Sequence, residues 1–254
     1  MSFQNFGLLG SKGYIGLENY RKLFADPFFY QTIWNTLIVT VGIVAASVLI
    51  PIIIAIALDN LLLQKVKKFV QTTIYVPFLF SALIIIGIYI NLLSPVGPFN
   101  SIMGAIGLIS EPIPFFTSDT LGRWMLIYMT AWHDIGFYTL IYLAALTTIN
   151  PSLYEAADID GANVFQKSRY VTFPGILSTV KIVLLMVLMG AMRTFDMSYV
   201  MKNAANYKGV TTAIVYTYDQ GILKFDMGLA SAAAGIIFIL SLLLVFTVKK
   251  IIRY

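Results

Sequence analysis

The feature that most constrains this chain is a series of long apolar stretches with few or no charged residues. The stretch from Thr32 to Leu58 contains no charged side chain at all. A helix needs about 20 mostly apolar residues to cross the hydrocarbon core of a bilayer. Hydrophobic residues make up 59% of the chain and charged residues 11%, and a soluble domain could not bury so much apolar surface. The sequence therefore predicts an integral membrane protein.

Five stretches are long and apolar enough to be spanning helices. The stretch at 125–146 carries His133 and Asp134, and the stretch at 176–201 carries Lys181, Arg193 and Asp196. Strands of a membrane β-barrel would instead alternate in polarity over about ten residues. We predict an all-α, multi-span helical bundle that forms one transmembrane domain over residues 1–254. The predicted spans are roughly 32–58, 74–93, 125–146, 176–201 and 229–248.

The lysines of the short loops predict the orientation of the bundle. The link between the first two spans carries three lysines, the C-terminal end carries three cations, and residues 94–122 contain no Lys or Arg. Short loops rich in Lys and Arg stay in the cytoplasm. We therefore expect the first link and the C-terminus inside, and residues 94–122 outside. The cations are Lys65, Lys67 and Lys68 in the link, and Lys249, Lys250 and Arg253 at the end.

Composition argues against several kinds of site. The chain has no cysteine and one histidine, His133, so we expect no metal site and no thiol nucleophile. A net charge of +5, spread over loops, does not indicate nucleic-acid binding. We find no Gly-Lys-Ser/Thr phosphate-binding loop, and we expect no cofactor in this chain.

The link between the third and fourth predicted spans, residues 150–175, has the signals of a helix–turn–helix. Asn150 or Ser152 can cap a helix that begins at Pro151, and Ser152 with Glu155 has the spacing of a capping box. Gly161 suits a turn with positive φ. A second short helix is expected at 163–170, before Pro174 opens the next span. On these signals alone, the segment is either a docking surface for a partner or an ordinary connecting loop.

The same segment resembles the EAA loop of bacterial ABC importer permeases. That motif consists of Glu-Ala-Ala, three residues, Gly, nine residues, an aliphatic residue, one further residue, an apolar residue and Pro. The spacing is met throughout. The matching residues are Glu155, Ala156, Ala157, Gly161, Val171, Phe173 and Pro174.

Other segments resemble the carbohydrate-uptake, maltose-permease-like branch of that family. They are Gly16–Tyr20, Leu23-Phe24, Asp26-Pro27, Asn35-Thr36, Tyr75–Pro77, Phe195-Asp196, Tyr199–Met201 and Phe225–Gly228. There are two departures. The family's first core helix is expected before residue 16, where Met1-Ser2-Phe3 resembles only its end, so we expect either a truncated start or a form of the chain that lacks this helix. A Gly-rich run in the last outer loop is replaced by Asn203-Ala204-Ala205-Asn206.

The resemblance implies the function and the partners. An external solute-binding protein would deliver a sugar, as a mono- or oligosaccharide, to two permease subunits, this chain and a second one that we expect to differ from it. Two copies of a cytoplasmic ATPase subunit would bind ATP and drive alternating access, with the EAA loop docked on one of them. This chain would catalyse no reaction. The expected location is the plasma (inner) membrane of a bacterium or archaeon, with the C-terminus in the cytoplasm.

Polar residues inside predicted spans are candidates for the substrate path, because buried charge in a membrane usually faces a cavity. Thr130, His133, Asp134 and Phe137 share one face of a helix. Such a face suits a sugar, whose hydroxyls bond to polar groups and whose apolar faces stack on a ring. Alternatively, Asp134 pairs with a cation of another helix, or His133 and Asp134 lie in water at the outer surface.

A second candidate set lies near the end of the fourth predicted span. Arg193, Thr194 and Asp196 could line the outer half of the path, or Arg193 and Asp196 could form an ion pair. Two alternative functions are a secondary transporter and an intramembrane enzyme. A secondary transporter would carry similar halves with interrupted helices, and an intramembrane enzyme would need His133 and Asp134 as base and partner.

Overall fold

The computed structural model describes residues 1–7 and 10–252, and this part of the chain is predominantly helical. Arg253, which we counted among the cytoplasmic cations, lies outside the described residues. Two short antiparallel strands, β1 (Gln4–Gly7) and β2 (Gly10–Tyr14), come first. The helices that follow are α1 (Glu18–Ala25), α2 (Pro27–Asp59), α3 (Gln64–Leu79), α4 (Ala82–Leu93), α5 (Pro98–Ala105), α6 (Asp119–Leu146), α7 (Pro151–Ile159), α8 (Val164–Lys167), α9 (Phe173–Gly175), α10 (Leu177–Ala191), α11 (Asp196–Met201), α12 (Tyr207–Val210), α13 (Ala213–Tyr218) and α14 (Met227–Ile252), with π-helical turns π1 (Ser168–Thr172) and π2 (Asp219–Leu223).

Three predicted spans lie within long continuous helices. The 33-residue α2 covers 32–58, the 28-residue α6 covers 125–146, and the 26-residue α14 covers 229–248. Asp26 begins α2 by accepting a hydrogen bond from the Phe28 N–H at 2.8 Å, with Pro27 in the first turn, where its missing N–H costs nothing. The helix continues through the buried Pro51.

The other two predicted spans are interrupted. Residues 74–93 divide into the end of α3 and the whole of α4, because Phe80 takes an extended conformation and the Ser81 hydroxyl caps α4. Residues 176–201 divide into α10 and α11. Continuous helices were predicted from hydropathy, which does not register a cap inside an apolar stretch.

Among the described residues, three helical stretches are long and apolar enough to cross a membrane: Pro27–Asp59, Ala82–Ala105 (α4 taken together with α5) and Met227–Ile252. A fourth crossing is formed by Val164–Gly175 and Leu177–Ala191 if that pair, bent by 66°, counts as one span. The five spans therefore remain a prediction, whereas the predicted helical character of the bundle is confirmed.

The helix α2 is the centre of the bundle and packs against both α6 and α10. Space for α6 is made at Gly42, where a Cβ atom would come within 2.6 Å of Ile127 Cδ1. The contact with α10 includes Thr40, whose hydroxyl lies 3.4 Å from the Met192 sulfur. The fully buried side chains at this centre are Val39, Ile43, Leu126, Met129, Tyr142 and Val183.

The beginnings of α2, α6 and α14 lie at one end of the molecule, which we call the rim. Arg123 of α6 donates to the Asn35 side chain of α2 at 2.9 Å, so these two helices run parallel. Asn19 of α1 packs on Gly228 at the start of α14 and donates to the Gln4 carbonyl at 3.0 Å. Residues 1–3 form a turn closed by the Gln4 N–H and the Met1 carbonyl, and not the end of a helix as expected.

Candidate functional site

Residues 150–175 fold into a helix–turn–helix at the end of the molecule opposite the rim, and we call this segment the shelf. Asn150 caps α7 by accepting from the Ser152 N–H at 3.1 Å, with Pro151 in the first turn. This places Ser152 and Glu155 inside the helix, so the expected capping box between them is wrong. The capping box lies instead at the start of α8, where Asn163 and Gln166 bond reciprocally at 2.9 and 2.8 Å.

Gly161 makes the turn between the two helices of the shelf, as its sequence position predicted. Its φ is +73°, a region that L-residues with side chains avoid. The Gly161 N–H donates to the Asp158 carbonyl at 3.0 Å, and the Ala162 N–H donates to the Ala157 carbonyl at 2.9 Å. These are the two bonds of a Schellman motif, which closes the C-terminus of α7.

Two side-chain contacts tie α7 to the chain that follows the turn. Lys167 forms an ion pair with Asp158. The Tyr154 hydroxyl lies 3.0 Å from the Thr172 hydroxyl. The base of the shelf is held where Gly175 meets the end of α6, since a Cβ at Gly175 would approach Ile149 Cδ1 to 2.8 Å. The shelf is therefore a braced unit and not a loose connection.

The outward face of the shelf is open. Glu155, Ala156, Gly161 and Pro174 are exposed and Ala157 is half-buried. A groove of about 400 Å³ runs between the two helices, floored by small residues. Large apolar side chains are exposed around it: Leu153, Ile159, Val164, Phe165 and Tyr170. Exposed apolar surface with a polar surround is typical of a protein–protein interface.

The first candidate path set lies together on α6, as predicted, but its side chains contact other protein groups. His133 Nδ1 lies 2.7 Å from Asp134 Oδ1, and His133 Nε2 lies 3.2 Å from the Phe80 carbonyl. Phe137 stacks on Phe78 with ring centroids 4.9 Å apart. The face therefore meets the interruption between α3 and α4.

Thr130 completes that set. Its hydroxyl donates to the Leu126 carbonyl of its own helix at 2.7 Å, and the oxygen keeps a free lone pair. Thr130, His133, Asp134 and Phe137 are all partly exposed, so the face is not sealed inside the bundle. Phe78, which the sequence analysis did not select, is exposed beside it. The nearby Pro77 was the available signal.

The second candidate set, at the interruption between α10 and α11, does not act as one group. Arg193 lies in a largely apolar groove of about 350 Å³ between α10, α13 and α14. The Thr194 carbonyl accepts from the Thr212 hydroxyl at 3.1 Å, and Asp196 is exposed in the first turn of α11. Among the described residues, no ion pair joins Arg193 to Asp196.

Sequence reasoning missed a polar clamp at the rim. Arg123 donates from Nε to the Gly209 carbonyl at 3.1 Å and from a terminal nitrogen to Asn35. Asn35 in turn donates to the carbonyls of Lys208 and Thr211 at 2.7 and 3.0 Å. The clamp holds residues 208–211 against the starts of α2 and α6. An Asn and an Arg within otherwise apolar helix starts were the signal for it.

The run Asn203–Asn206, which replaces the expected glycines, forms side-chain hydrogen bonds to the backbone. Asn206 is buried and donates to the Phe116 and Met201 carbonyls at 2.8 and 3.0 Å. Asn203 donates to the same Phe116 carbonyl at 2.7 Å. The two amides thus fasten this segment to the chain before α6.

Comparison with known proteins places these features in a family. Residues 47–253 match the model of a family described as "Binding-protein-dependent transport system inner membrane component". The chain is 32% identical to the arabinooligosaccharides transport system permease protein AraP of Bacillus subtilis, covering 96% of this chain and 77% of that protein. It is 30% identical to the polygalacturonan/rhamnogalacturonan transport system permease protein YteP of the same species, covering 94% and 78%.

The fold is also similar to that of solved structures. A chain of a bacterial ABC transporter involved in the import of the acidic polysaccharide alginate matches with a TM-score of 0.90 and 28% identity, over 95% of this chain and 85% of that one. A second structure holds the alginate transporter in complex with an alginate pentasaccharide-bound periplasmic protein, and it matches with a TM-score of 0.89 and 28% identity, over 94% and 83%. The resemblance noted from the sequence is confirmed.

Proposed function

This chain belongs to the family of binding-protein-dependent transport system inner membrane components, and from that premise we propose that it is the permease subunit of an ATP-driven sugar importer. The subunit spans the membrane several times and moves the sugar by alternating access. The observation that carries the proposal is the shelf, a braced helix–turn–helix with an open groove and exposed apolar side chains at the end of the bundle opposite the rim.

The charges of the two ends support an orientation. Lys65, Lys67 and Lys68 lie in α3 just after the end of α2, and Lys249 and Lys250 lie at the end of α14. The shelf follows the end of α6, which runs parallel to α2. Because cationic helix ends stay inside, the shelf and the C-terminal end of α14 face the cytoplasm, and the rim faces outward.

The shelf is the docking site for an ATPase subunit. Glu155 and Gly161 carry the EAA motif, Ala156 and Ala157 are small enough to let a partner approach the groove, and Pro174 ends the segment at its base. ATP binds to the partner, so this chain needs no cofactor and has no catalytic residue of its own. The assembly contains two permeases, this one and a second, different one, and two ATPase subunits.

A sugar is the substrate that the path residues and the relatives both support. Several relatives are named for the transport of oligosaccharides or polysaccharides. The α6 face offers a hydroxyl at Thr130, the His133–Asp134 pair and the Phe137 ring. An external solute-binding protein brings the sugar to the rim, as suggested by the alginate transporter crystallised with its periplasmic protein.

The test is reconstitution of the chain with its ATPase, second permease and binding protein. Sugar-stimulated ATP hydrolysis is expected to be lost in Glu155→Gln, since the EAA motif then loses its exposed carboxylate. The matched control is Glu111→Gln, which removes an equally exposed carboxylate from the segment between α5 and α6, and it should retain activity. Sugar uptake by the purified chain alone, driven by an ion gradient, would refute the proposal.

The path residues have a separate test. Asp134→Asn and Phe137→Ala should weaken uptake of the sugar while leaving the ATPase subunits bound to the membrane fraction. If both variants import at the wild-type rate, the α6 face is not the path, although the shelf assignment would stand.

A further inference from the structure

The short helix α1 presents an apolar and cationic surface that the proposed transport function does not use. Asn19 and Leu23 are buried against the bundle. On the opposite side, at i, i+4 and i+7, lie Leu17, Arg21 and Phe24. Leu17 is 60% exposed and Phe24 is 48% exposed. With Tyr20 and Ala25 these three residues line an open groove of about 600 Å³.

The position of α1 relative to the membrane follows from its neighbours. Pro27, two residues after α1, begins the first spanning helix. Tyr20 reaches down along α14, where its hydroxyl lies 3.7 Å from the position of a Cβ on Gly235. Gly235 lies about 12 Å along α14 from its start at Met227. The groove side of α1 therefore continues into the apolar surface of the bundle.

Aromatic side chains mark the same level. Tyr30 and Trp34 are 54% and 60% exposed near the start of α2, and Trp124 and Tyr128 are 57% and 50% exposed near the start of α6. Tyr and Trp concentrate where hydrocarbon meets headgroups. These four side chains mark a membrane–water interface near the starts of α2 and α6, and α1 directly precedes α2.

The charges of this surface are mainly positive. The described contact of the Arg21 guanidinium is with Glu18 at 4.0 Å, and the Arg21 side chain is 81% exposed. Lys22, which follows Arg21 in the chain, and Lys12, in the strand β2 that precedes α1, are also exposed. Asp26, the other nearby carboxylate, already accepts from the Tyr216 hydroxyl at 2.7 Å and from the Phe28 N–H. A highly exposed guanidinium with one long ion-pair contact, beside an apolar groove, complements a phosphate group attached to acyl chains.

We propose that α1 lies in the outer membrane–water interface and that Arg21, with Leu17, Tyr20 and Phe24, binds an anionic phospholipid. The guanidinium holds the headgroup phosphate, and the three apolar side chains contact the upper part of the acyl chains. Lys12 and Lys22 add the positive potential that favours an anionic headgroup over a zwitterionic one. The occupant is a lipid and not a protein partner, because α1 directly precedes the first spanning helix and its groove side lies, through Tyr20, along the spanning helix α14.

The test uses the full chain in nanodiscs. Because the chain has no cysteine, Phe24→Cys carries a single fluorescent label in it. We expect brominated phosphatidylglycerol to quench that label more strongly than brominated phosphatidylcholine. Adding Arg21→Gln should reduce the preference for phosphatidylglycerol about five-fold, as expected for one cation at a membrane surface. Arg21→Lys should keep most of the preference.

The matched control is Lys224→Gln, which removes an exposed cation elsewhere on the rim side and should leave the preference unchanged. The proposal is overturned if Lys224→Gln lowers the preference as much as Arg21→Gln does. It is also overturned if an aqueous quencher reaches the label and lipid quenchers do not. Loss of quenching only when the second permease or the binding protein is added would assign the groove to that protein. None of these readouts depends on transport.

Discussion

Replacing Gly161 with Ala is expected to uncouple the importer without unfolding it. Gly161 has a φ of +73° and closes the Schellman motif of α7. The conformation places Ala162 and Asn163 where the second helix of the shelf can begin. A residue that resists positive φ opens this turn and moves the two helices apart.

The energetic cost of a side chain at Gly161 follows from the geometry of the turn. A Cβ atom at Gly161 would meet no atom within 4 Å, so the cost is conformational and not steric. The left-handed conformation costs an L-residue about 1–2 kcal/mol, and Asn tolerates it better than other side chains do. Gly161→Ala should therefore favour the open turn by roughly ten-fold, since 1.4 kcal/mol is a factor of ten. Gly161→Asn should have a smaller effect, and Gly161→Val a larger one.

Two measurements on the reconstituted assembly check this order. Sugar-stimulated ATP hydrolysis should fall in the order Asn, Ala, Val, and amide exchange of residues 157–163 should accelerate in the same order. Gly190→Ala is the control, because a Cβ there also meets nothing within 4 Å and Gly190 lies within α10. Equal losses for Asn and Ala would refute the reasoning, and so would a loss of coupling without faster exchange.

Three further outcomes are expected. Gly136→Ala should lower the free energy of unfolding by about 1–3 kcal/mol, since the added Cβ would clash with the Ile74 carbonyl oxygen. Thermal unfolding in detergent measures this loss. The control is Gly87→Ala, whose Cβ meets nothing within 4 Å, and an equal effect of the two variants would contradict the prediction. Arg123→Gln should remove the clamp on residues 208–211 and destabilise this segment by about 1.5–3 kcal/mol, the value of hydrogen bonds made by a charged group. Amide exchange of residues 208–211 should therefore accelerate. Lys224→Gln, the control, should leave that exchange rate unchanged. Tyr216 lies between the last two predicted spans, and burial, followed by the hydrogen bond and charge of Asp26, raises its pKa above the ordinary 10.0. The folded state therefore holds the phenol proton more tightly than the unfolded state, so this contribution to stability is complete below pH 10 and declines above it. The free energy of unfolding, measured by chemical denaturation, should decline less steeply above pH 10 in Tyr216→Phe than in the wild type.

The shelf illustrates how far local sequence signals reach. Pro151, Gly161 and the apolar surroundings predicted a helix, a turn and a second helix, because caps and positive-φ positions depend on neighbouring residues only. The choice of cap was less secure. Asn150 was one of two candidates, and the capping box at Asn163 and Gln166 was not anticipated.

The candidate path illustrates where such signals stop. The i, i+3, i+4, i+7 spacing correctly placed Thr130, His133, Asp134 and Phe137 on one helix face, since the period of a helix is fixed. It did not reveal that this face meets the interruption at Phe80, because the partner lies on a different helix. Arg193 and Asp196 have a similar spacing, but α10 ends at Ala191 and α11 begins only at Asp196, so the two residues do not share a helix face and do not pair.

The sequence by itself determined that this chain is a helical membrane protein with a turn at Gly161, because hydropathy, helix caps and backbone preferences are properties of short segments. Only the tertiary structure decided where the apolar stretches are interrupted, which groups the clamp at the rim joins, and which apolar and cationic side of α1 is exposed. Those features arise from contacts such as the one between Asn35 and Thr211, which join segments far apart in the chain. No local pattern encodes such a contact, since it depends on how the helices pack.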